Sequence, residues 1–290
     1  MVCACIDIGS NTTRLLVADV QDGRLAALAQ RRTFTRLGSE IRRDGQIGAT
    51  KAAEVVAIVS EYLAEAHGLG ARSPRVIGTA AMRAAANRDD VLDLLERATG
   101  VRPDVLDGEQ EARLAFLGAS KTLRDPPDTK IAVVDVGGGS SEVAVGTVAD
   151  GMEWSVSLPI GSSALADTHC RCDPVSEHEL VEMRAYAERV FDGLRAPEAE
   201  QAIAVGGSAT SLCRLVGPVL DVQSMRVALA KLCEHSAAEV ARRFDLDPQR
   251  VLLLPAGLVV LEAAAMRVGC PLRIGEGGVR EGVCLQIAAI

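Results

Sequence analysis

At 290 residues and 48% hydrophobic, the chain is long enough to bury a substantial core, and its length suggests about two domains. Aromatic residues make up only 2%, so the core must come from Ala, Val, Leu and Ile, which suits α/β layers where small residues let helices lie close on a sheet. A net charge of −8 excludes a general nucleic-acid binder, and eight cysteines in a chain of this size exclude a disulfide scaffold.

The start, MVCACIDIG, has no basic segment followed by a separate apolar one, and its apolar run breaks at Asp7. Neither a leader nor a membrane span is expected there, no other stretch is long enough to cross a bilayer, and the expected compartment is the cytoplasm. Cys3 and Cys5 stand two apart in a predicted strand and read as small buried hydrophobes. That strand ends in Asp7, a turn of Gly9, Ser10, Asn11, Thr12 and Thr13 follows, and Arg14 opens a second apolar strand. Next comes QRRTFTRLGSEIRR, in which Arg31, Arg32, Arg36, Arg42 and Arg43 read either as a solvated surface loop or as a positive rim that gathers a polyanion.

Residues 50–67 place Ala52, Val56, Val59, Leu63 and Ala66 on one helix face, ended by Gly68 and Gly70. A strand at 75–79, a helix from about 80, another over 89–98 closed by Gly100, a strand near Val105 and a helix from Glu109 to about Leu123 complete the first half. Asp125-Pro126-Pro127-Asp128 is the best linker candidate and divides an N-terminal domain, 1–125, from a C-terminal one, 126–290.

The second half opens on a copy of the first hairpin: Asp135, Val136, Gly137, Gly138, Gly139, Ser140, Ser141 and then Glu142. In both copies a charge stands seven residues past the Asp, Arg14 in one and Glu142 in the other. Ser176 with Glu179 and Ser236 with Glu239 predict capping boxes, a strand at 201–205 runs into Gly206-Gly207-Ser208, and Asp247-Pro248 starts a further helix. Pro255 kinks or restarts that helix and Gly269 ends it, before a strand at 271–275 and a helix from about Val279. His169-Cys170-Arg171-Cys172 has the spacing C-x-C and no second ligand pair, so it reads as surface cysteines rather than a zinc site.

Turns without bulky side chains let consecutive amides surround an anion, and two copies at equal spacing favour a phosphate grip. Asp135 and Glu142 face each other across the second hairpin, and two close carboxylates invite Mg²⁺ or a similar hard cation, with Asp7 able to join through water. Arg14 would clamp phosphate, or pair with Asp7 or Asp135. Arg83 and Asn87, four apart in GTAAMRAAAN, are expected on one helix face near its N-terminus, where phosphate contact is favoured. Glu109 and Glu111 in GEQEAR either complement a helix dipole or deprotonate an attacking water. No cysteine has an Arg six residues later, no apolar strand ends in D-x-D, and the four histidines lie outside the glycine turns, which leaves direct attack by water.

Together DIGSNTTRL at 7–15, RLG at 36–38, GTAAMRAAAN at 78–87, GEQEARLAFLG at 108–118, DVGGGSSE at 135–142, GGSATSL at 206–212 and GVREGV at 278–283 resemble the exopolyphosphatase/guanosine pentaphosphate phosphohydrolase (Ppx/GppA) family, within the actin–sugar kinase–Hsp70 superfamily. The resemblance implies an α/β fold of two related ribonuclease H-like domains with an interdomain active-site cleft. It implies release of terminal orthophosphate from inorganic polyphosphate with Mg²⁺, with Glu111 the catalytic base and Asp135 and Glu142 serving metal and water. Arg83 corresponds to a phosphate-binding arginine, and Gly206, Gly207 and Ser208 match a motif that faces nucleotide in kinases of the superfamily. Gln110 replaces a frequent Glu, which leaves Glu111 the clearer base. Many relatives carry a C-terminal helical extension that helps hold long polymers; this sequence ends at Ile290, so short polyphosphates are the expected substrates. The family often forms homodimers. Alternatives are hydrolysis of guanosine pentaphosphate, a non-catalytic polyphosphate or alarmone sensor, and a sugar-kinase-like phosphotransferase.

Overall fold

Strands Val2–Ile8 (β1) and Thr12–Gln21 (β2) pair antiparallel and are buried along nearly their whole length. They read as continuous apolar runs because helices cover both faces of the sheet they belong to. Ala4, Ile6 and Ile8 face one helical layer, while Cys3 and Cys5 face the other. The computed structural model describes residues 1–123 and 127–289, which form two compact units: Met1–Thr122 with Gly277 onward, and Leu123–Glu276. The expected boundary at 125/126 falls on Asp125 and Pro126, outside the described residues.

In the first unit, Arg24–Phe34 (β3), Arg75–Gly78 (β4) and Asp104–Val105 (β5) complete a sheet of order β3-β2-β1-β4-β5, with β4 and β5 parallel to β1. Its helices are Leu37–Asp44 (α1), Ala49–Gly68 (α2), Ala80–Ala84 (α3), Arg88–Thr99 (α4) and Gly108–Lys121 (α5). Val55, Val59, Leu63 and Leu95 from α2 and α4 pack on one face of the sheet. The stretch containing Arg31–Arg43, for which one reading was a surface loop, is the edge strand β3 followed by α1, and Arg31 pairs with Glu65 at 2.6 Å.

The second unit holds Ile131–Val136 (β6), Ser141–Thr147 (β7), Gly151–Leu158 (β8), Gln201–Val205 (β9), Val219–Leu220 (β10) and Leu272–Ile274 (β11) in the order β10-β11-β9-β6-β7-β8. The meander β6-β7-β8 with β9 and β11 alongside repeats the strand order of the first sheet, and β10 adds an antiparallel edge. Its helices are Ser162–His169 (α6), Glu177–Phe191 (α7), Gly206–Val216 (α8), Val222–Glu234 (α9), Ala237–Phe244 (α10), Pro248–Val251 (α11) and Leu254–Val268 (α12). Both predicted capping boxes form, at Ser176/Glu179 and Ser236/Glu239. Pro255 restarts the helix: it lies in the first turn of α12, whose buried length forms the centre of this core.

The last helix, Val279–Ala288 (α13), returns to the first unit, although the expected second domain ran on to residue 290. Its Val283, Cys284 and Leu285 join Cys3, Cys5, Leu16 and Leu114 in the core on the second face of the first sheet.

Candidate active site

The two hairpin turns are built alike. In the first, the Gly9 amide donates to the Thr12 carbonyl at 3.1 Å; in the second, the Gly137 amide donates to the Ser140 carbonyl at 3.0 Å. A Cβ on Gly9 would lie 3.0 Å from the Thr12 oxygen and one on Gly137 2.9 Å from the Ser140 oxygen, so both turns leave little room for a side chain in first place. Each turn is then clasped by its carbonyls. Arg36 and Gly38 amides donate to Asn11 (3.0 Å) and Ser10 (2.7 Å), which accounts for the RLG segment. In the second unit, Ser162 donates to Gly137 (2.9 Å), and Ser163 and Ala164 to Gly138 (3.0 and 2.9 Å). Among the described residues, the amides of Ser10, Asn11, Gly138 and Gly139 donate to no backbone carbonyl, so both turns offer N–H groups, as an anion needs.

The mouths differ in charge. Asp7 stands directly opposite Arg14, and Asp135 directly opposite Glu142. Arg14 Nε donates to Thr12 Oγ1 at 3.1 Å. Burial pushes the Asp7 pKa up, against the pull of the Arg14 and Arg280 guanidinium groups, and nearby Glu281 pushes the same way as burial. Asp7 Oδ1 is buried without a hydrogen-bond partner. Glu142 is buried, and Ser157 Oγ donates to its Oε1 at 2.8 Å. Gly206 has φ +91°, and a Cβ there would lie 2.7 Å from Asp135 Oδ1, so the start of α8 approaches this carboxylate only as glycine.

Arg83 and Glu111 are brought together. Arg83 Nη1 donates to the Leu106 carbonyl at 2.7 Å and forms an ion pair with Glu111 Oε2. Asp107 caps α5 in a capping box with Gln110: the Gln110 amide donates to Asp107 Oδ1 at 2.8 Å, and the Asp107 amide to Gln110 Oε1 at 2.9 Å. Gln110 is thereby committed to the cap, Glu109 pairs with Arg113 in solvent at 2.9 Å, and Glu111 turns inward.

Other expected partners lie elsewhere. Helix α3 ends at Ala84, so Asn87 does not share a face with Arg83; it instead clamps Ile47, accepting from its amide (2.9 Å) and donating to its carbonyl (2.8 Å). Ser208 is fully buried, and a Cβ on Gly257 of α12 would meet its Oγ at 2.4 Å, so the hydroxyl faces helix packing. Cys170 is partly buried beside Met183, its thiol pushed up to about 11 by burial, and Cys172 is exposed. Among the described residues no three His, Cys, Asp or Glu side chains form a ready-made metal cage. Within the second unit, the facing carboxylates of Asp135 and Glu142 are donors of the chemistry that a hard cation such as Mg²⁺ takes. Ser157 carried no signal in local sequence, because it reaches Glu142 from the neighbouring strand; Arg280 stood in the GVREGV segment without a role of its own, and its charge acts on Asp7 from another element.

Two units with one strand order, each with a carbonyl-clasped glycine turn beside a carboxylate, define the actin–sugar kinase–Hsp70 type of fold. The chain belongs to the Ppx/GppA phosphatase family, whose model matches residues 16–289. It is 28% identical to exopolyphosphatase 1 of Mycobacterium leprae, over 94% of this chain and 86% of that protein. It is 27% identical to a guanosine-5'-triphosphate,3'-diphosphate pyrophosphatase of Aeromonas hydrophila, over 97% of this chain and 58% of that protein. The crystal structure of the Aquifex aeolicus family member superposes with a TM-score of 0.84 at 26% identity, covering 100% of this chain and 98% of that one. No helix among the described residues is long and apolar enough to cross a membrane.

Proposed function

We propose that this protein is an exopolyphosphatase that removes the terminal phosphate of inorganic polyphosphate by attack of water. The observation that carries the reading is the buried carboxylate of Glu111, held by Arg83 at the start of α5, in a chain of a phosphatase family. In the first unit, the Ser10 and Asn11 amides, Arg14 and Arg83 would meet phosphate oxygens; in the second, the Gly137–Ser140 turn and the first-turn amides of Gly207 and Ser208 would do so. Glu111 would accept the proton of the attacking water at its carboxylate. Asp135 and Glu142 would hold a divalent cation such as Mg²⁺, which when bound offsets the charge that develops on phosphate oxygens. Glu111→Gln keeps the shape and removes the base, so phosphate release should fall by about 10²–10⁴-fold while polyphosphate still binds. Turnover at the unaltered rate would overturn the assignment.

A second reading, release of the 5'-terminal phosphate from guanosine pentaphosphate, is favoured by the name of the Aeromonas relative. Phosphate release measured on polyphosphates of graded length and on guanosine pentaphosphate separates the two.

A further inference from the structure

Arg83 and Glu111 lie 28 residues apart and meet through one guanidinium nitrogen. Nη1 serves both the Leu106 carbonyl and Glu111 Oε2, whereas Nε and Nη2 donate to no protein acceptor among the described residues. The Arg83 side chain is 25% exposed and that of Glu111 7%, so the guanidinium presents one edge to a buried carboxylate and another to solvent. A planar fork of this kind receives an oxyanion side-on at Nε and Nη2. Several other charges around α5 have contacts of their own. Glu109 pairs with Arg113 and Asp107 caps the helix; on α13, which packs along α5, Arg280 lies 3.7 Å from Glu281 and donates to the Leu15 carbonyl. Asp7 on β1 feels Arg14, Arg280 and Glu281.

A carboxylate taken out of water is held ionised by the cation beside it, and a tightly held carboxylate is a poor proton acceptor. When an oxyanion docks on the open edge, it shares the same positive charge, and the hold on Glu111 loosens. We propose that Arg83 couples the two events, so that arrival of the terminal phosphate itself makes Glu111 basic. This rests on Glu111 being the base. Glu111 would then become an effective base only once phosphate is seated, and the coupling must be reciprocal: protonating or neutralising Glu111 tightens anion binding.

Sulfate tests this, because it has the shape and charge of the phosphate dianion and does not itself titrate between pH 4 and 8. Calorimetry of sulfate binding to the wild type, in buffers of different ionisation heat, should show proton uptake below about pH 6 and an affinity that rises as pH falls. Glu111→Gln should bind sulfate about tenfold more tightly than wild type at pH 7, the equivalent of one unit of pKa coupling, with no such uptake. Arg83→Met should lose at least tenfold in sulfate affinity; if that variant does not fold, the wild type and Glu111→Gln decide alone. Equal sulfate affinities for wild type and Glu111→Gln, or unaltered binding to a folded Arg83→Met, would overturn the coupling. Failure of the underlying reading looks different: Glu111→Gln would still turn over polyphosphate, whatever sulfate does.

Discussion

Asp7 shows what a buried carboxylate costs a fold. Its pKa is raised because burial disfavours the charged form more than Arg14 and Arg280 favour it. The sign follows: at neutral pH the folded state carries an aspartate it would rather protonate, and this penalty fades as pH falls through the raised folded pKa toward the ordinary value of 3.8. Asp7→Asn should therefore be more stable than wild type at pH 7 and lose that advantage on acidification, while turnover falls about 10–100-fold if Asp7 supports the cation. Thermal melts across pH, with activity in parallel, check both halves; a variant less stable at pH 7 would count against the account. Single residues were also where sequence was most and least informative. The facing of Asp135 and Glu142 follows from hairpin spacing, because each step along a strand reverses the side chain. The Arg83–Glu111 pair joins separate elements, which no local pattern encodes, and Asn87 was misplaced because the alanine run stops being helix after Ala84.

At the scale of elements, central strands and capped helices were legible and edge strands were not. Strand β3 exposes most of its residues on both faces, so RLAALAQRRTF lacks the buried alternation that marks a strand, and β8 at the matching edge is only half buried. Caps act through local hydrogen bonds and are therefore readable, and the one at α7 does more than start a helix. Glu179 accepts the Arg171 and Cys172 amides (2.6 and 3.1 Å) and both the amide and hydroxyl of Ser176 (2.8 Å each), tying the preceding loop to the helix. Burial opposes its charge, but these hydrogen bonds outweigh it and draw the pKa down to about 2. A depressed folded pKa means stability that is complete above the ordinary 4.5 and lost as pH falls toward 2. Glu179→Gln should cost about 2 kcal/mol in denaturant unfolding at pH 7, and the difference from wild type should shrink between pH 4.5 and 2.

At the scale of the whole molecule, the duplicated strand order was legible from the repeated hairpin, but the destination of the last helix was not, since an apolar helix at a chain end can cover either core. Helix α13 is claimed by the first unit through glycine. A Cβ on Gly118 of α5 would lie 2.0 Å from the Gly278 carbonyl oxygen, and one on Gly282 would lie 2.1 Å from that of Leu114, so the two helices meet backbone to backbone. The obstructing atoms are main chain and cannot rotate aside. Helix α5 carries Glu111 at its start, and α13 carries Arg280 toward Asp7, so this packing sets both the stability of the unit and the placing of its charges. Gly118→Ala should then cost about 2–3 kcal/mol by forcing the helices apart, despite alanine's better helix propensity. Gly68→Ala, where a Cβ meets nothing within 4 Å and the backbone is unstrained, should change stability by no more than about 0.5 kcal/mol. Hydrogen exchange in Gly118→Ala should quicken in β1, β2 and α5, while β6, β7 and β9 keep their protection, because the lesion lies in one unit's core. Equal stability of the two glycine variants would show that α13 does not need that contact, and that the first unit holds its carboxylates by other means.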